Sequence, residues 1–480
     1  MKKVVIIGGG IAGLATAYSL CQEKTPEQEL EIVILEAAER AGGHIQTETE
    51  DGFIVEGGPD CFISEKPWAI GLCRKLGLNE KLLPTNDRLR KTFVLSRGKL
   101  HELPEGVILM IPTKIMPLAL STLISTKGKL RMLLEIFIPK KKDNSDESLG
   151  DFVRRRLGAE VLDKIAEPLV AGIHAADPDT MSVRSSFPKF VQLEEEYGSL
   201  IRGMVSKMAH FKKSAAAGKN TGGGKKMTMF VTLRDGMQDL IETLIRDITK
   251  KGVKIRTNTA VKGLEKTKNS RLRLTLNEGR NILADAVVIA APAHAASVLV
   301  HNLDKELSGQ LGEITFTSTA TVTMAFKKKD LSKPLTGFGF VVPRSEKRGI
   351  MASTWSSVKF DGRAPEDSVL IRCFVGGAKS GHLLDLDDTE MTEMVRGELK
   401  DILGITAPPL FTRIFRWMKA MPQYTIGHQE RVQRIEESTA RHPGLFLTGS
   451  SYHGIGIPDS IHGGEITAQK ILSLLKKKTS

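Results

Sequence analysis

Residues 4–13 read VVIIGGGIAG, and this stretch decides where most of the remaining chain must go. Val4 to Ile7 are four β-branched residues in a row, the composition of a strand buried on both faces of a parallel sheet. Gly8, Gly10 and Gly13 follow at G-x-G-x-x-G spacing, and Ile11 to Leu20 continue with small and apolar residues suited to a helix. The first glycine permits a tight turn, the second lets a pyrophosphate approach the backbone, and the third lets helix and strand pack closely. The N–H groups at the helix start, with the helix dipole behind them, then face an anion.

The next residues narrow the choice of ligand. A second strand, Glu31 to Leu35, ends at Glu36, whose carboxylate can bind both hydroxyls of an adenosine ribose and repels a 2′-phosphate, which argues against NADP. The polar loop Gln22 to Glu29 accounts for a Gly13-to-Glu36 spacing slightly longer than usual. Behind the carboxylate, AAERAGGHIQT places Arg40, Gly42 and Gly43 in an E-x-x-x-R-x-G-G arrangement. This resembles the amine oxidase and protoporphyrinogen oxidase branch of FAD proteins, in which the glycine pair carries the chain past the pyrophosphate toward the isoalloxazine. FAD is the expected cofactor. No cysteine lies in 445–472, so it is expected to be held without a covalent link.

At 480 residues the chain has room for two or three domains, and 41% hydrophobic with 26% charged residues is a globular rather than a disordered composition. The four cysteines, Cys21, Cys61, Cys73 and Cys373, show no metal-ligand spacing, so no metal is expected, and their scatter fits a reducing compartment. No apolar run approaches the ~18 to 20 residues that span a bilayer. The start MKKVVIIGGG meets its glycines too early for a signal peptide. A cytoplasmic protein, at most peripheral on the inner face of the cell membrane, is expected. Net charge of +13 points to acidic partners: nucleic acid, anionic lipid or a polycarboxylate. Aromatics are only 5% and no nucleic-acid motif occurs, which sets nucleic acid aside. Oligomeric state is not legible.

Along the chain, GFIVEGGPDCFIS (52–64) reads as a strand and a glycine turn stiffened by Pro59. Pro67 to Leu76 suggests a helix stopped by Gly77, and Thr92 to Leu103 a hairpin turning at Arg97-Gly98. Residues 104–142 mix apolar clusters with prolines and lysines. From Leu120 to Lys142, Lys127, Lys129, Arg131 and Lys140 to Lys142 are opposed only by Glu135. Two readings stay open: a basic-edged amphipathic surface for an anionic leaflet, or a helical subdomain with its lysines in water. Ser148 should cap a helix to Leu157, with Arg154 to Arg156 as a solvated face. EPLVAGIHAADP (167–178) sets small residues between helical flanks, and 211–226 is low-complexity and reads as a flexible insertion. Met227 to Leu233, Val253 to Arg256, a hairpin of Thr259 to Lys266 with Arg271 to Leu276, and DAVVIA (285–290) return to strands around a helix over Gly236 to Lys251. Ala320 to Phe326, Gly337 to Val342, Ile350 to Thr354 and Val369 to Val375 predict a largely antiparallel sheet covered by a helix over Thr389 to Leu403. At the close, a strand runs into Gly449, then Gly454-Ile455-Gly456-Ile457, then a helix from Asp459: a second helix start facing an anion.

Taken together, VVIIGGGIAGL, AAERAGGHIQT, VEGGPDCF, EPLVAGIHAADP, RWMKAMPQYTIGH (416–428) and TGSSYHGIGIPD (448–459) resemble the oxygen-dependent protoporphyrinogen/coproporphyrinogen oxidase family over nearly the whole chain. The resemblance implies an α/β fold: a Rossmann-type FAD domain, an antiparallel-sheet substrate domain and a helical, membrane-facing part. Its segments would be 1–65, 227–292 and 413–480 for FAD, 66–92 as a lead-in, 93–210 as the helical part, 211–226 as the insertion and 293–412 for substrate. Carried over residue by residue, the FAD contacts are Gly8, Gly9, Gly10, Ile11, Ala12, Gly13, Glu36, Ala37, Gly43, His44, Gly57, Gly58, Pro59, Asp60, Val261 (by its backbone), Ser450, Ile455, Gly456 and Ile457, with Gly172 at the substrate.

The implied activity is FAD-dependent oxidation of coproporphyrinogen III or protoporphyrinogen IX to the porphyrin in heme biosynthesis. Six electrons leave in three hydride transfers, and oxygen becomes hydrogen peroxide. Plant and animal members carry an arginine directly before the hairpin phenylalanine, where this chain has Thr92 before Phe93. Arg88, Arg90 and Lys91 are therefore the candidates to hold propionates. GIPDS and IPTKI resemble the Gram-positive branch, whose substrate is coproporphyrinogen. No residue is singled out as catalytic. The alternatives are a flavin amine oxidase or desaturase for another amphiphile, or a non-redox binder on the dinucleotide fold. Glu36 and the 454–457 glycine block oppose that last reading.

Overall fold

β1 (Lys2–Ile7) is followed by helix α1 (Ile11–Glu23) and β2 (Leu30–Leu35). The computed structural model describes residues 1–24, 29–104, 107–108, 111–112, 117, 120–216 and 227–477. β1 pairs in parallel with β2 on one side and with Ala286–Ile289 on the other. Lys254–Arg256 beside β2 and Leu445–Leu447 beside Ala286–Ile289 complete a five-stranded parallel sheet. Strand order thus reverses at β1, which puts a ligand crevice at the carboxyl ends of the central strands. Val4, Ile6, Ile32 and Ile34 bury one face against α1 and the helix Ile457–Lys477. Val5, Ile7, Val33 and Leu35 bury the other against the strands Val261–Lys266 and Leu272–Leu276 and the helix Ala293–Val300. Covering both faces is what requires apolar residues at successive positions.

The chain forms two compact units, one of Met1–Thr85, Met227–Phe316 and Gln429–Ser480, the other of Asn86–Lys226 and Thr317–His428. The helices Ala293–Val300 and Lys305–Gly312 belong to the first unit rather than to a 293–412 segment, since they pack with the Val261–Lys266 strand and with each other. In the second unit a seven-stranded sheet runs in the order Phe411–Pro422, Phe316–Lys327, Ser368–Gly376, Ala352–Trp355, Gly339–Val341, Thr92–Ser96, Lys99–Glu102. Phe411–Pro422 is thus an edge strand of this sheet rather than the beginning of a 413–480 segment. Its sequence, FTRIFRWMKAMP, has no period of two and hides the strand.

One face of the seven-stranded sheet packs Val322, Met324, Ile371 and Val375 against Met391, Val395 and Leu399 of the helix Asp388–Leu403. The other face, with Val94, Val341 and Ala352, packs against helices that include Leu149–Arg156, Glu167–His174 and Pro188–Tyr197. Ser148 caps the first of these through the Asp151 N–H at 2.9 Å. Arg154 to Arg156, however, are not a solvated face. Arg154 pairs with Asp179 at 2.6 Å, Arg155 reaches Glu147 and Glu194 at 2.6 Å each, and Arg156 is fully buried in an ion pair with Glu135. Three successive helical residues point about 100° apart and cannot share one face. Helix Leu200–Ala216 takes in the first six positions of the expected 211–226 insertion, and 217–226 lies outside the described residues, as do ten positions between 105 and 119.

Candidate functional site

The glycines after β1 are fixed by what surrounds them. Gly8 adopts a φ of +104°, and a Cβ there would lie 2.8 Å from the Ala290 carbonyl oxygen. At Gly13 a Cβ would lie 2.1 Å from the Gly8 oxygen. Gly10, at the N-cap of α1, has open space beside it, with nothing nearer to an added Cβ than Gly43 Cα at 4.0 Å. No side chain caps α1 and its first turn holds no acid, so the N–H groups around Ile11 and Ala12 keep their capacity for a ligand anion. Gly42 donates to the Gly9 carbonyl at 2.8 Å, which brings the second glycine loop, with Gly43 and His44, against the first.

Glu36, at the end of β2, accepts one N–H on each carboxylate oxygen, from Gly9 at 2.7 Å and from Ala38 at 2.9 Å. Each oxygen has a second lone pair, so ribose hydroxyls still find acceptors beside Ala37. The Asn258 and Thr259 N–H groups donate to the Ala38 and Glu36 carbonyls at 2.9 and 2.8 Å, which starts the strand carrying Val261 beside this corner. Gly58 closes the loop from behind: a Cβ there would fall 1.7 Å from the His44 carbonyl oxygen, so the turn with Gly57, Pro59 and Asp60 requires glycine. The His44 side chain is open to solvent, yet protein mass, and secondarily Arg40, lowers its pKa, as expected in the wall of a cleft. Ser450 follows Gly449, which faces Ala12 of α1, and Ile455 and Gly456 lead into the helix Ile457–Lys477. Gly464 of that helix lies so close to α1 that a Cβ would meet Ala12 O and Thr16 N at 2.9 Å.

The substrate candidates lie in the second unit. Arg88 and Arg90 are exposed and engage in no ion pair among the described residues, whereas Lys91 is held by Glu102 at 2.8 Å. Gly172 sits on the seven-stranded sheet, where a Cβ would contact Ala352 at 3.3 Å and Val341 at 3.5 Å. On the same helix, burial drives His174 down to a pKa of about 4 and raises Glu167 to about 7, so the imidazole is neutral.

The profile of the flavin-containing amine oxidoreductases matches residues 11–472. The coproporphyrinogen III oxidase of Bacillus subtilis (strain 168) is 37% identical over 99% of this chain and 98% of its own. That of Staphylococcus aureus (strain NCTC 8325 / PS 47) is 33% identical over 99% of this chain and 100% of its own. The crystal structure of an Exiguobacterium sp. 255-15 protein, 33% identical, superposes with a TM-score of 0.84 over 98% of this chain and 99% of that one. This chain belongs to the flavin-containing amine oxidoreductases.

As a member of that family the oxidoreductase uses FAD, and the cradle fits it: an uncapped helix start for the pyrophosphate, a carboxylate for the ribose, and glycines where a side chain has no room. Three positioning residues escaped the list of contacts. Arg40 donates to the Ile45 and Gly43 carbonyls at 3.1 and 2.8 Å and so staples the second glycine loop. Buried Glu56 accepts the Thr47 hydroxyl at 2.7 Å and the Met237 N–H at 2.9 Å, tying the Gly57-Gly58 turn to the helix Gln238–Lys250. Lys66 holds Asp459, in the first turn of the carboxyl-terminal helix, at 2.5 and 2.7 Å. That second helix start therefore already has an acid, neutralised by a lysine. Arg40 was visible as part of its motif. Lys66 and Glu56 gave no local signal, because their partners lie 393 and 181 residues away.

Proposed function

We propose that this amine oxidoreductase oxidises coproporphyrinogen III to the porphyrin in heme biosynthesis, with dioxygen as the electron acceptor. The observation that carries this reading is the end-to-end similarity to two coproporphyrinogen III oxidases. Bound FAD supplies a two-electron acceptor for a hydride leaving a meso carbon, and three rounds with oxygen remove six electrons and give hydrogen peroxide in each. The chain's own work is to bind and orient a large flat tetracarboxylate and to keep water from it.

Arg88 and Arg90, exposed cations just ahead of the strand Thr92–Ser96, are suited to propionates. Lys91 is the weaker candidate, since Glu102 already engages it. Gly172 lets the helix Glu167–His174 lie close on the strands at Ala352 and Val341, and the neutral His174 adds no charge to that helix. A cation that meets a propionate equally in ground and transition state acts on binding. Arg88→Ala and Arg90→Ala should therefore each raise KM for coproporphyrinogen more than they lower kcat, and Lys91→Ala should do less.

Steady-state kinetics of the FAD-loaded enzyme on coproporphyrinogen and protoporphyrinogen, with peroxide measured, provide the test. Faster turnover of coproporphyrinogen, with peroxide formed in step, is expected. A yellow, FAD-replete protein that oxidises neither porphyrinogen would sink the proposal and favour a different amphiphilic substrate.

A further inference from the structure

His174 is the last residue of the helix Glu167–His174, which continues from Ala159–Val161 and Leu162–Ala166. The chain beyond it turns at once, with Ala175 in the left-handed region at a φ of +50°. An L-residue is costly there and persists only where its surroundings hold it. Here they do. Gln423 Nε2 donates to the His174 carbonyl at 3.3 Å and to the Thr317 hydroxyl at 3.0 Å. The Ala175 N–H returns to the Ala171 carbonyl at 3.0 Å, and the Ala175 carbonyl accepts the Ala378 N–H at 3.0 Å.

The end of the helix is thus fixed in place, yet it is open, since Ile173 is 60% exposed. The His174 ring stands edge-on to Phe187, with centroids 5.6 Å apart. Its two nitrogens engage in no hydrogen bond among the described residues and are not closed off from solvent. Burial alone lowers its pKa to about 4, so the ring is neutral and one nitrogen offers a lone pair. The other two titratable groups of 167–178 are engaged. Glu167 accepts the Arg344 N–H at 3.0 Å, while Asp177 accepts the Asp179 N–H at 3.2 Å and pairs with Lys379. His174 is the one base left in that stretch, two residues from Gly172.

We propose that His174 is a catalytic base of the porphyrinogen oxidation, taking the pyrrole proton that must leave when a meso carbon gives up its hydride. The proposal rests on the porphyrinogen reading above. In a round of oxidation one meso C–H bond breaks, and its electron pair departs with the hydride to the acceptor that FAD supplies. The macrocycle left behind is a cation. A pyrrole N–H bond of that cation then breaks, its electron pair stays on nitrogen, and the proton goes to the bare nitrogen of His174. The imidazolium returns the proton to solvent before the next round. An N–H on such a cation is far more acidic than that of a neutral pyrrole, so a weak base accepts it. The carbonyl end of the helix dipole favours the imidazolium while it lasts, and burial keeps the resting ring unprotonated.

The test compares wild type, His174→Ala and His174→Gln as FAD-loaded proteins mixed anaerobically with coproporphyrinogen, reading the bleaching of the flavin absorbance. FAD content and affinity for the porphyrin product, by fluorescence titration, are measured beside it. Both variants should keep their FAD and bind porphyrin within about 3-fold of wild type, while flavin reduction slows about 100-fold. In steady state the loss should fall on kcat, with KM kept. Added imidazole should restore His174→Ala by about 10-fold or more and leave His174→Gln, whose side chain fills the space, unchanged. Flavin reduction in folded His174→Gln within about 3-fold of wild type would overturn the proposal. So would a slow His174→Ala that imidazole does not restore, or a loss of porphyrin affinity that matches the loss of rate. Should His174→Ala not fold, the rate and porphyrin affinity of His174→Gln decide. A wild type whose FAD is bleached by neither coproporphyrinogen nor protoporphyrinogen removes the porphyrinogen reading itself, an outcome seen before any variant is compared.

Discussion

Two helix starts in this protein, α1 in the first unit and Leu200–Ala216 in the second, present the same electrostatics and meet them in opposite ways. At the second, the chain supplies the anion itself: Glu135 accepts the Leu200 and Ile201 N–H groups, and Arg156 balances its charge. At α1 nothing fills the position, since Gly10 has no side chain to cap it and the first turn has no acid. A helix start becomes a phosphate site when the chain withholds its own anion and clears the space with glycine. A third carboxyl, Glu167, shows the contrast: it lies inside a helix that continues from Ala159–Val161 and Leu162–Ala166, it accepts the Arg344 N–H at 3.0 Å, and burial raises its pKa to about 7.

The comparison breaks most visibly at Arg156. Arg156→Leu leaves the Glu135 carboxylate buried without its cation and should cost about 3–5 kcal/mol of stability by urea denaturation, with no change in FAD per folded molecule. A loss below about 1 kcal/mol would mean that the backbone N–H groups alone hold the carboxylate. Next, Gly10→Asp supplies at α1 the anion that is missing there. The φ of −71° suits an ordinary residue and the nearest atom to the new Cβ is 4.0 Å away, so the side chain fits. FAD affinity should fall about 100-fold, or ~2.8 kcal/mol, by fluorescence titration. The apoprotein should melt no lower than wild type. Unchanged FAD affinity would show that the open start is not the phosphate site.

Titration sharpens the third case. Glu167 has a folded pKa above its ordinary value of 4.5, so between about pH 4.5 and 7 the native state binds more protons than the unfolded one, and the stability it contributes falls as pH rises. His174, pushed from 6.5 to about 4, does the reverse: it contributes stability that is present above pH 6.5 and lost as pH falls toward 4. Each effect should amount to roughly 2 kcal/mol, and in the wild type they offset one another. Glu167→Gln should leave a stability that rises with pH across this window, and His174→Gln one that falls, as read from urea midpoints at a series of pH values. Parallel profiles for the two variants would contradict both assignments. The smallest effect is expected at Asp387, whose capping box with Glu390 starts the helix Asp388–Leu403. Asp387→Ala should cost about 1 kcal/mol by thermal melting and leave FAD binding untouched, since this start is closed by its own residues.

The sequence by itself determined the nucleotide half of the molecule. Val4 to Gly13, Glu36, the Gly42-Gly43 pair and DAVVIA are local patterns, and each is dictated by a constraint acting within a few residues: a tight turn, a buried strand, a helix start without a cap. The same holds for Ser148 as a cap and for Arg97-Gly98 as a hairpin turn, both of which the structure shows. What only the tertiary structure decided depends on partners far along the chain. Phe411–Pro422 is a strand because the sheet edge at Phe316–Lys327 receives it, not because its own residues alternate. Lys66 meets Asp459 393 residues later, and Arg156 lies inside while Arg154 does not, because the buried Glu135 pairs with only one of three adjacent arginines. The outward turn of Leu130, Leu133, Leu134 and Phe137 belongs with these. An apolar helical stripe in sequence is ordinarily read as core, and only the inward anchoring of Glu135 reverses it, since a buried carboxylate must keep its cation and its N–H donors whatever that leaves exposed on the other side.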